Sequence, residues 1–136
     1  MSRLALLLVV ALAAAGAGCG THPPDLFLLT RTGSIPGADL RLLVRDDGVV
    51  HCNGGPRREL SDPQLLQARE IARKLADPAA KHVSLPAGRG SVLRYRIRLE
   101  QGTVTFSDDS RGQTKEMFRA QSFTRTAATR VCGLRR

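Results

Sequence analysis

Apolar and polar residues alternate most clearly between Val92 and Glu100. The apolar positions are Leu93, Tyr95, Ile97 and Leu99, and the positions between them are Arg94, Arg96 and Arg98. Successive side chains of a strand lie on opposite faces of the sheet. The pattern therefore predicts a strand with a buried apolar face and an outer arginine face. Gln101-Gly102 predicts a two-residue turn, and Val104 and Phe106 face inward on a returning strand.

The first half of the chain shows three further strand patterns. The apolar run from Leu26 to Arg31 predicts one strand, and the partial alternation from Asp39 to Asp46 predicts a second. Asp46-Asp47-Gly48 is typical of a hairpin turn, so Val49 to Cys52 is interpreted as the returning strand. Asn53-Gly54-Gly55-Pro56 is expected to end that strand.

Two segments have helical periodicity. Ser61 with Gln64 three residues later forms a capping-box pattern. Leu65, Ala68, Ile71, Ala72 and Leu75 follow at helical spacing. Asp77-Pro78 is expected to end this helix. A last helix is predicted from about Thr114 to Val131, with an apolar stripe that includes Ala120 and Phe123 and with Gly133 as C-cap.

The predicted order is β-β-β-α-β-β-α, which favours an α+β fold. We expect an antiparallel sheet of four to five strands with both helices packed on one face. The 136 residues are enough for one such domain beside an export signal. We place that domain at residues 26–134.

The amino terminus has the three parts of an export signal. Arg3 supplies a positive charge, Leu4 to Ala15 is an uninterrupted apolar run, and small residues follow up to Gly20. A bilayer-spanning helix needs about 20 apolar residues, so this run is too short for a stable anchor. Residues 1–18 are interpreted as a signal peptide.

Ala17-Gly18-Cys19 resembles the lipobox of bacterial lipoproteins, and Gly16 stands where those proteins have an aliphatic residue. The chain is similar to small lipoproteins of high-GC Gram-positive bacteria. The resemblance implies a lipid on Cys19, a tether over residues 19–25, and attachment to the outer face of the cell membrane. The alternative is general cleavage after Ala15-Gly16-Ala17, which would release a soluble secreted protein.

The cysteine count agrees with lipidation of Cys19. The chain contains three cysteines, and removing Cys19 leaves Cys52 and Cys132 as an even pair. Disulfides persist in exported proteins, so we predict a Cys52–Cys132 bridge, with two buried thiols as the alternative. No metal site is expected, because the three histidines are scattered and no metal-ligand spacing occurs. The histidines are His22, His51 and His82.

The chain is strongly basic. It has 21 Lys and Arg against 12 Asp and Glu, a formal charge of +9, and loss of a signal containing Arg3 leaves +8. The outer face of the predicted sheet offers contacts to an anionic partner. The arginines concerned are Arg94, Arg96 and Arg98, with Arg41 and Arg45 on the same side. That partner is a lipid headgroup, a wall polymer or an acidic protein surface. The alternative is a solvated face that discourages edge pairing. Nucleic acid is not expected, because export separates the protein from the genome and aromatic residues for base stacking are lacking.

No motif predicts catalysis. The acid pairs Asp46-Asp47 and Asp108-Asp109 both lie in predicted turns, where Asp forms local hydrogen bonds. The chain has no Gly-x-Ser-x-Gly motif, no credible Ser-His-Asp set and no glycine-rich loop of phosphate-binding form. We therefore expect no enzymatic activity and no cofactor.

A second resemblance concerns the domain. Three parts of the chain resemble emfourin-like proteins. They are Arg31-Thr32-Gly33 with Ile35-Pro36-Gly37, the helix Leu65 to Leu75, and Arg94-Tyr95-Arg96-Ile97 with Gly102. Those proteins are small bacterial inhibitors of thermolysin-type metalloproteases, and the resemblance implies no particular inhibitory residue here. The leading hypothesis is a non-enzymatic, envelope-attached binding module, and the alternative is an emfourin-like inhibitor.

Overall fold

The computed structural model describes residues 24–134. The signal segment, Cys19 and the tether up to Pro23 lie outside the described residues. The elements are β1 (Asp25–Gly33), β2 (Leu40–Arg45), β3 (Val49–Cys52), β4 (Arg57–Glu59), α1 (Asp62–Ala80), β5 (Leu93–Leu99), β6 (Gly102–Ser107) and α2 (Lys115–Thr126), followed by a π-helical turn (Ala127–Val131).

The strands form one six-stranded sheet in the order β4-β3-β2-β1-β5-β6, and every neighbouring pair is antiparallel. The α+β class is thus confirmed, with one strand more than the upper number predicted. β1 lies inside the sheet between β2 and β5. Its residues therefore pair on both sides, with Thr30 opposite Arg41 on β2 and opposite Arg96 on β5.

The additional strand is β4, which contains no apolar residue that would have predicted it. All three residues of β4 are exposed. They belong to the sheet through backbone pairing, with Val49 opposite Glu59 and His51 opposite Arg57. The turn between β3 and β4 contains Asn53 and Gly54, which both have positive φ, at 53° and 70°. A short, charged edge strand discourages pairing with another chain.

The core lies between one face of the sheet and the two helices. The sheet contributes Phe27, Leu29, Leu40, Leu42, Val44, Val50, Tyr95, Ile97, Val104 and Phe106, and the helices contribute Ala68, Ile71, Leu75, Met117, Ala120 and Phe123. Phe27 packs edge-on against Phe123 with ring centroids 6.0 Å apart. The predicted inward positions of the strands are therefore buried, including Tyr95 at 3% exposure, except for Leu93, which is half-buried.

The helix starts agree with the sequence, and the ends differ from it. Ser61 caps α1, because its side chain accepts from the Gln64 N–H and the Gln64 side chain accepts from the Ser61 N–H. The prediction that Asp77-Pro78 ends this helix is wrong. Helical bonding continues past Pro78, since the Lys81 N–H donates to the Asp77 carbonyl at 3.1 Å.

The second helix also ends differently, because its last turn is widened. α2 stops at Thr126 and continues as the π-helical turn, in which the Cys132 N–H donates to the Ala127 carbonyl at 2.8 Å. Gly133 follows with φ 67°, in the left-handed region that glycine adopts without steric cost. The β5–β6 turn is Glu100-Gln101, one residue before the predicted turn, because Gly102 already pairs with Leu99.

Candidate functional site

The sheet face turned away from the helices carries a group of exposed arginines. Arg94, Arg96 and Arg98 alternate along β5 with the buried apolar residues, as the sequence predicts. Arg41 on β2 lies in the same cross-strand row as Arg96, with Thr30 of β1 between them. Two strand spacings separate Arg41 from Arg96, about 10 Å, and neighbouring arginines on β5 are about 7 Å apart. We name these four residues the arginine face.

The arginine face differs in its partners from the five arginines of the domain that form ion pairs. Among residues 24–134, no carboxylate lies within 4.0 Å of any of the four guanidinium groups. Five other arginines do form ion pairs, namely Arg45, Arg57, Arg69, Arg73 and Arg119. The positive charge of the arginine face is therefore not neutralised by its neighbours. Arg45 shares the face but is bound to Asp47 at 3.5 Å.

An apolar groove adjoins the arginine face where the chain enters the domain. Leu26, Leu28 and Leu43 line it together with Arg98, and its volume is about 360 Å³. Pro24, the first described residue, lies at its rim. Asp25 and Glu100 also line it, so the domain begins beside a surface that combines half-buried leucines with one arginine and two carboxylates.

The two cysteines of the domain are bonded to each other. Cys52 at the end of β3 and Cys132 after the π-helical turn form a disulfide with Cα atoms 5.8 Å apart. The predicted pairing is present, and it ties the strand end to the C-terminal helix. Cys19 lies outside the described residues.

A cavity lies on the helix side of the sheet, at the end opposite the β1 start. The β1–β2 loop, the beginning of β5 and the π-helical turn surround it, and its volume is about 260 Å³. Arg31 and Arg125 line it with Tyr95. Arg31 is only 8% exposed, and its Nε donates to the Ala38 carbonyl at 2.7 Å while Nη2 donates to the Gly37 carbonyl at 3.1 Å. The guanidinium thus fixes the loop and forms one wall of the cavity.

The pKa of Tyr95 is raised in this cavity. Burial raises the pKa of Tyr95, because a phenolate is poorly solvated there, and the negative charge of Asp108 acts in the same direction. The guanidinium charges of Arg31 and Arg125 oppose the shift without cancelling it. Tyr95 is therefore a protonated hydrogen-bond donor at neutral pH.

Sequence reasoning missed the cavity, although one signal for Arg31 was present. Phe27 and Leu29 face the core, so the two-residue period of β1 places Arg31 on the same side. Arg125 carried no comparable signal, because its approach to Arg31 depends on how α2 packs. The cavity also depends on the π-helical turn, which places Ala128 and Thr129 in its wall.

The acid pairs agree only partly with the sequence interpretation, because Asp47 makes a local turn bond whereas Asp109 accepts from a loop 19 to 21 residues away. Asp47 accepts the Val49 N–H at 3.1 Å, and Asp109 accepts the N–H groups of Gly88 and Gly90, both at 2.9 Å. Within the part of the chain that is described, no group of three or more His, Cys, Asp or Glu side chains is arranged to hold a metal ion. No helix in residues 24–134 has the length and apolar character needed to cross a membrane.

Comparison with known proteins identifies no relative of this chain. The similarity to lipoproteins and to emfourin-like inhibitors therefore stays a prediction from the sequence. No protein-family model, curated protein or solved structure matches this chain.

Proposed function

We propose that this protein is an exported, non-enzymatic binding module that is attached to the cell envelope. Its arginine face binds the anionic headgroups of the membrane to which the chain is tethered. The observation that carries the proposal is the arginine face itself, with four exposed guanidinium groups on one open surface and no carboxylate partner among the described residues.

The chemistry of arginine suits a phosphate-bearing surface. The planar guanidinium offers paired donors that match phosphate oxygens. Each basic residue near an anionic bilayer contributes about 1 kcal/mol to binding. Spacings of about 7 to 10 Å between the arginines allow each group to meet a separate headgroup. The adjoining leucines Leu26, Leu28 and Leu43 supply apolar contact at the headgroup boundary.

The tether favours a membrane over a distant partner. Asp25, where β1 begins, lies six positions after Cys19, so a lipidated domain stays within about 20 Å of its attachment point. Pro24 borders the same face as Leu28 and Arg98. A lipid on Cys19 would therefore hold this face close to the headgroups.

Vesicle binding tests the proposal. All proteins carry Cys19→Ser, so that no lipid contributes, and are mixed with vesicles of phosphatidylcholine alone or with added phosphatidylglycerol. We expect binding only to the anionic vesicles. The variant Arg94→Gln/Arg96→Gln/Arg98→Gln removes three charges and should weaken binding about a hundredfold.

The matched control removes the same charge from the helices. Arg69→Gln/Arg73→Gln/Arg119→Gln replaces three ion-paired arginines, and we expect only a small loss of affinity. An equal loss in both variants would contradict the arginine face, because net charge alone would then explain binding. Binding to a soluble polyphosphate without binding to the vesicles would show that the partner is an anionic polymer and not the membrane.

A further inference from the structure

The cavity beside Arg31 is separate from the arginine face. Arg31 and Tyr95 are on the helix side of β1 and β5, whereas Arg94 and Arg96 are on the opposite side. The cavity therefore has its own chemistry, and the proposed membrane contact does not use it.

The first feature of this chemistry is an excess of positive charge. Arg31 is nearly buried, and Arg125 lines the same cavity from α2. Among residues 24–134, neither guanidinium has a carboxylate within 4.0 Å. A buried charge is costly unless it is paired. The two carbonyls that accept from Arg31 satisfy some of its N–H groups but leave its charge without a counter-ion.

The second feature is the Tyr95 hydroxyl. The residue is 3% exposed, and its hydroxyl lies close enough to Arg31 for the guanidinium to donate a hydrogen bond to the phenol oxygen, which leaves the hydroxyl proton as a donor. Buried tyrosine hydroxyls usually have a partner. The raised pKa keeps this group protonated, so it is able to donate to an anion in the cavity.

The third feature is the apolar lining of the cavity, together with the small volume that it encloses. Leu93, Ala128 and Leu134 contribute to the wall, and Ile35 is 47% exposed beside them. The volume of about 260 Å³ equals that of about nine water molecules. It is slightly below the usual range for drug-sized ligands, so its size suits a small molecule with about ten non-hydrogen atoms.

We propose that this cavity binds a small monocarboxylate with an apolar body, such as a medium-chain fatty acid. The carboxylate lies between Arg31, Arg125 and the Tyr95 hydroxyl, and the apolar body contacts Leu93, Ala128 and Leu134. A guanidinium is a good partner for a carboxylate. The apolar lining favours this ligand over inorganic phosphate, which would lose hydration without gaining apolar contact.

Calorimetry with octanoate tests the site, using the protein with Cys19→Ser so that no attached lipid competes. Octanoate should bind at least tenfold more tightly than 1-octanol, which has a similar body and no charge. Tyr95→Phe removes only the hydroxyl and should weaken octanoate binding about tenfold. Arg125→Gln should have a similar effect, whereas Arg130→Gln, an exposed arginine in the π-helical turn that is not in the cavity wall, should not.

The outcomes separate the site from non-specific binding. Equal affinity for octanoate and 1-octanol, or octanoate binding that neither Tyr95→Phe nor Arg125→Gln weakens, would overturn the proposal. Inorganic phosphate that binds as tightly as octanoate would also overturn it, because the apolar lining would then contribute nothing. These variants leave the arginine face intact, so vesicle binding by the same proteins reports separately on the proposed function.

Discussion

Tyr95 joins the core of the domain to its cavity. Its ring stacks on Phe106 at 5.3 Å between centroids, while its hydroxyl end reaches the cavity wall with Arg31. It is also the only tyrosine in the chain. A phenol titration of this protein therefore reports on one site alone, which makes the environment of the cavity directly measurable.

We predict that Tyr95 ionises at higher pH in the folded protein than in the unfolded chain, whose tyrosine has a pKa of about 10. Because the folded-state pKa is raised, its contribution to stability is complete below about pH 10 and is lost as pH rises through the folded value. Ultraviolet absorbance of the phenolate, followed with and without denaturant, measures both midpoints. Tyr95→Phe should remove the signal and this part of the alkaline destabilisation. Coincident midpoints would show that the hydroxyl is solvated.

The same residues show what could be read from sequence. Alternation along β5 placed Tyr95 inward and Arg94, Arg96 and Arg98 outward, because strand geometry forces neighbours onto opposite faces. Arg31 obeys the same rule on β1, but a charged residue at a strand end is usually solvated. Its burial depends on the carbonyls of Gly37 and Ala38, which only the folded loop brings within reach.

At the scale of elements, local patterns predicted the starts of the helices better than their ends. Ser61 begins α1 through side-chain bonds that are visible in the sequence spacing. β4 has no pattern of its own and exists because β3 offers a free edge. The π-helical turn likewise has no local signature, and the disulfide at Cys132 holds its end to β3.

Loss of this disulfide should destabilise the whole fold. The bridge joins residues 80 positions apart, and the chain-entropy model assigns such a loop roughly 4 kcal/mol. We expect Cys52→Ala/Cys132→Ala to lower the free energy of unfolding by about that amount in denaturant titrations. The reduced wild-type protein is the matched control and should show a similar loss. Reaction of both cysteines with a thiol reagent in the unreduced, unfolded protein would contradict the pairing.

The whole molecule combines two proposed membrane contacts, a lipid anchor and a basic surface, which depend on different forces. An anchor depends on apolar burial, which salt does not weaken, whereas the arginine face depends on charge, which salt screens. The screening length falls from about 10 Å at about 0.1 M salt to about 3 Å at about 1 M. Salt therefore separates the contributions of Cys19 and of the arginines.

We predict that the wild-type protein stays with the membrane fraction at both salt concentrations and is released by detergent. The Cys19→Ser variant should bind at low salt and be released at high salt, because only the arginine face then holds it. Adding Arg94→Gln/Arg96→Gln/Arg98→Gln should make it soluble at low salt as well. Release of the wild-type protein by salt alone would contradict the lipid anchor and favour the secreted form. Salt-resistant binding of Cys19→Ser would instead contradict a purely electrostatic face, and would direct attention to the leucines beside Arg98.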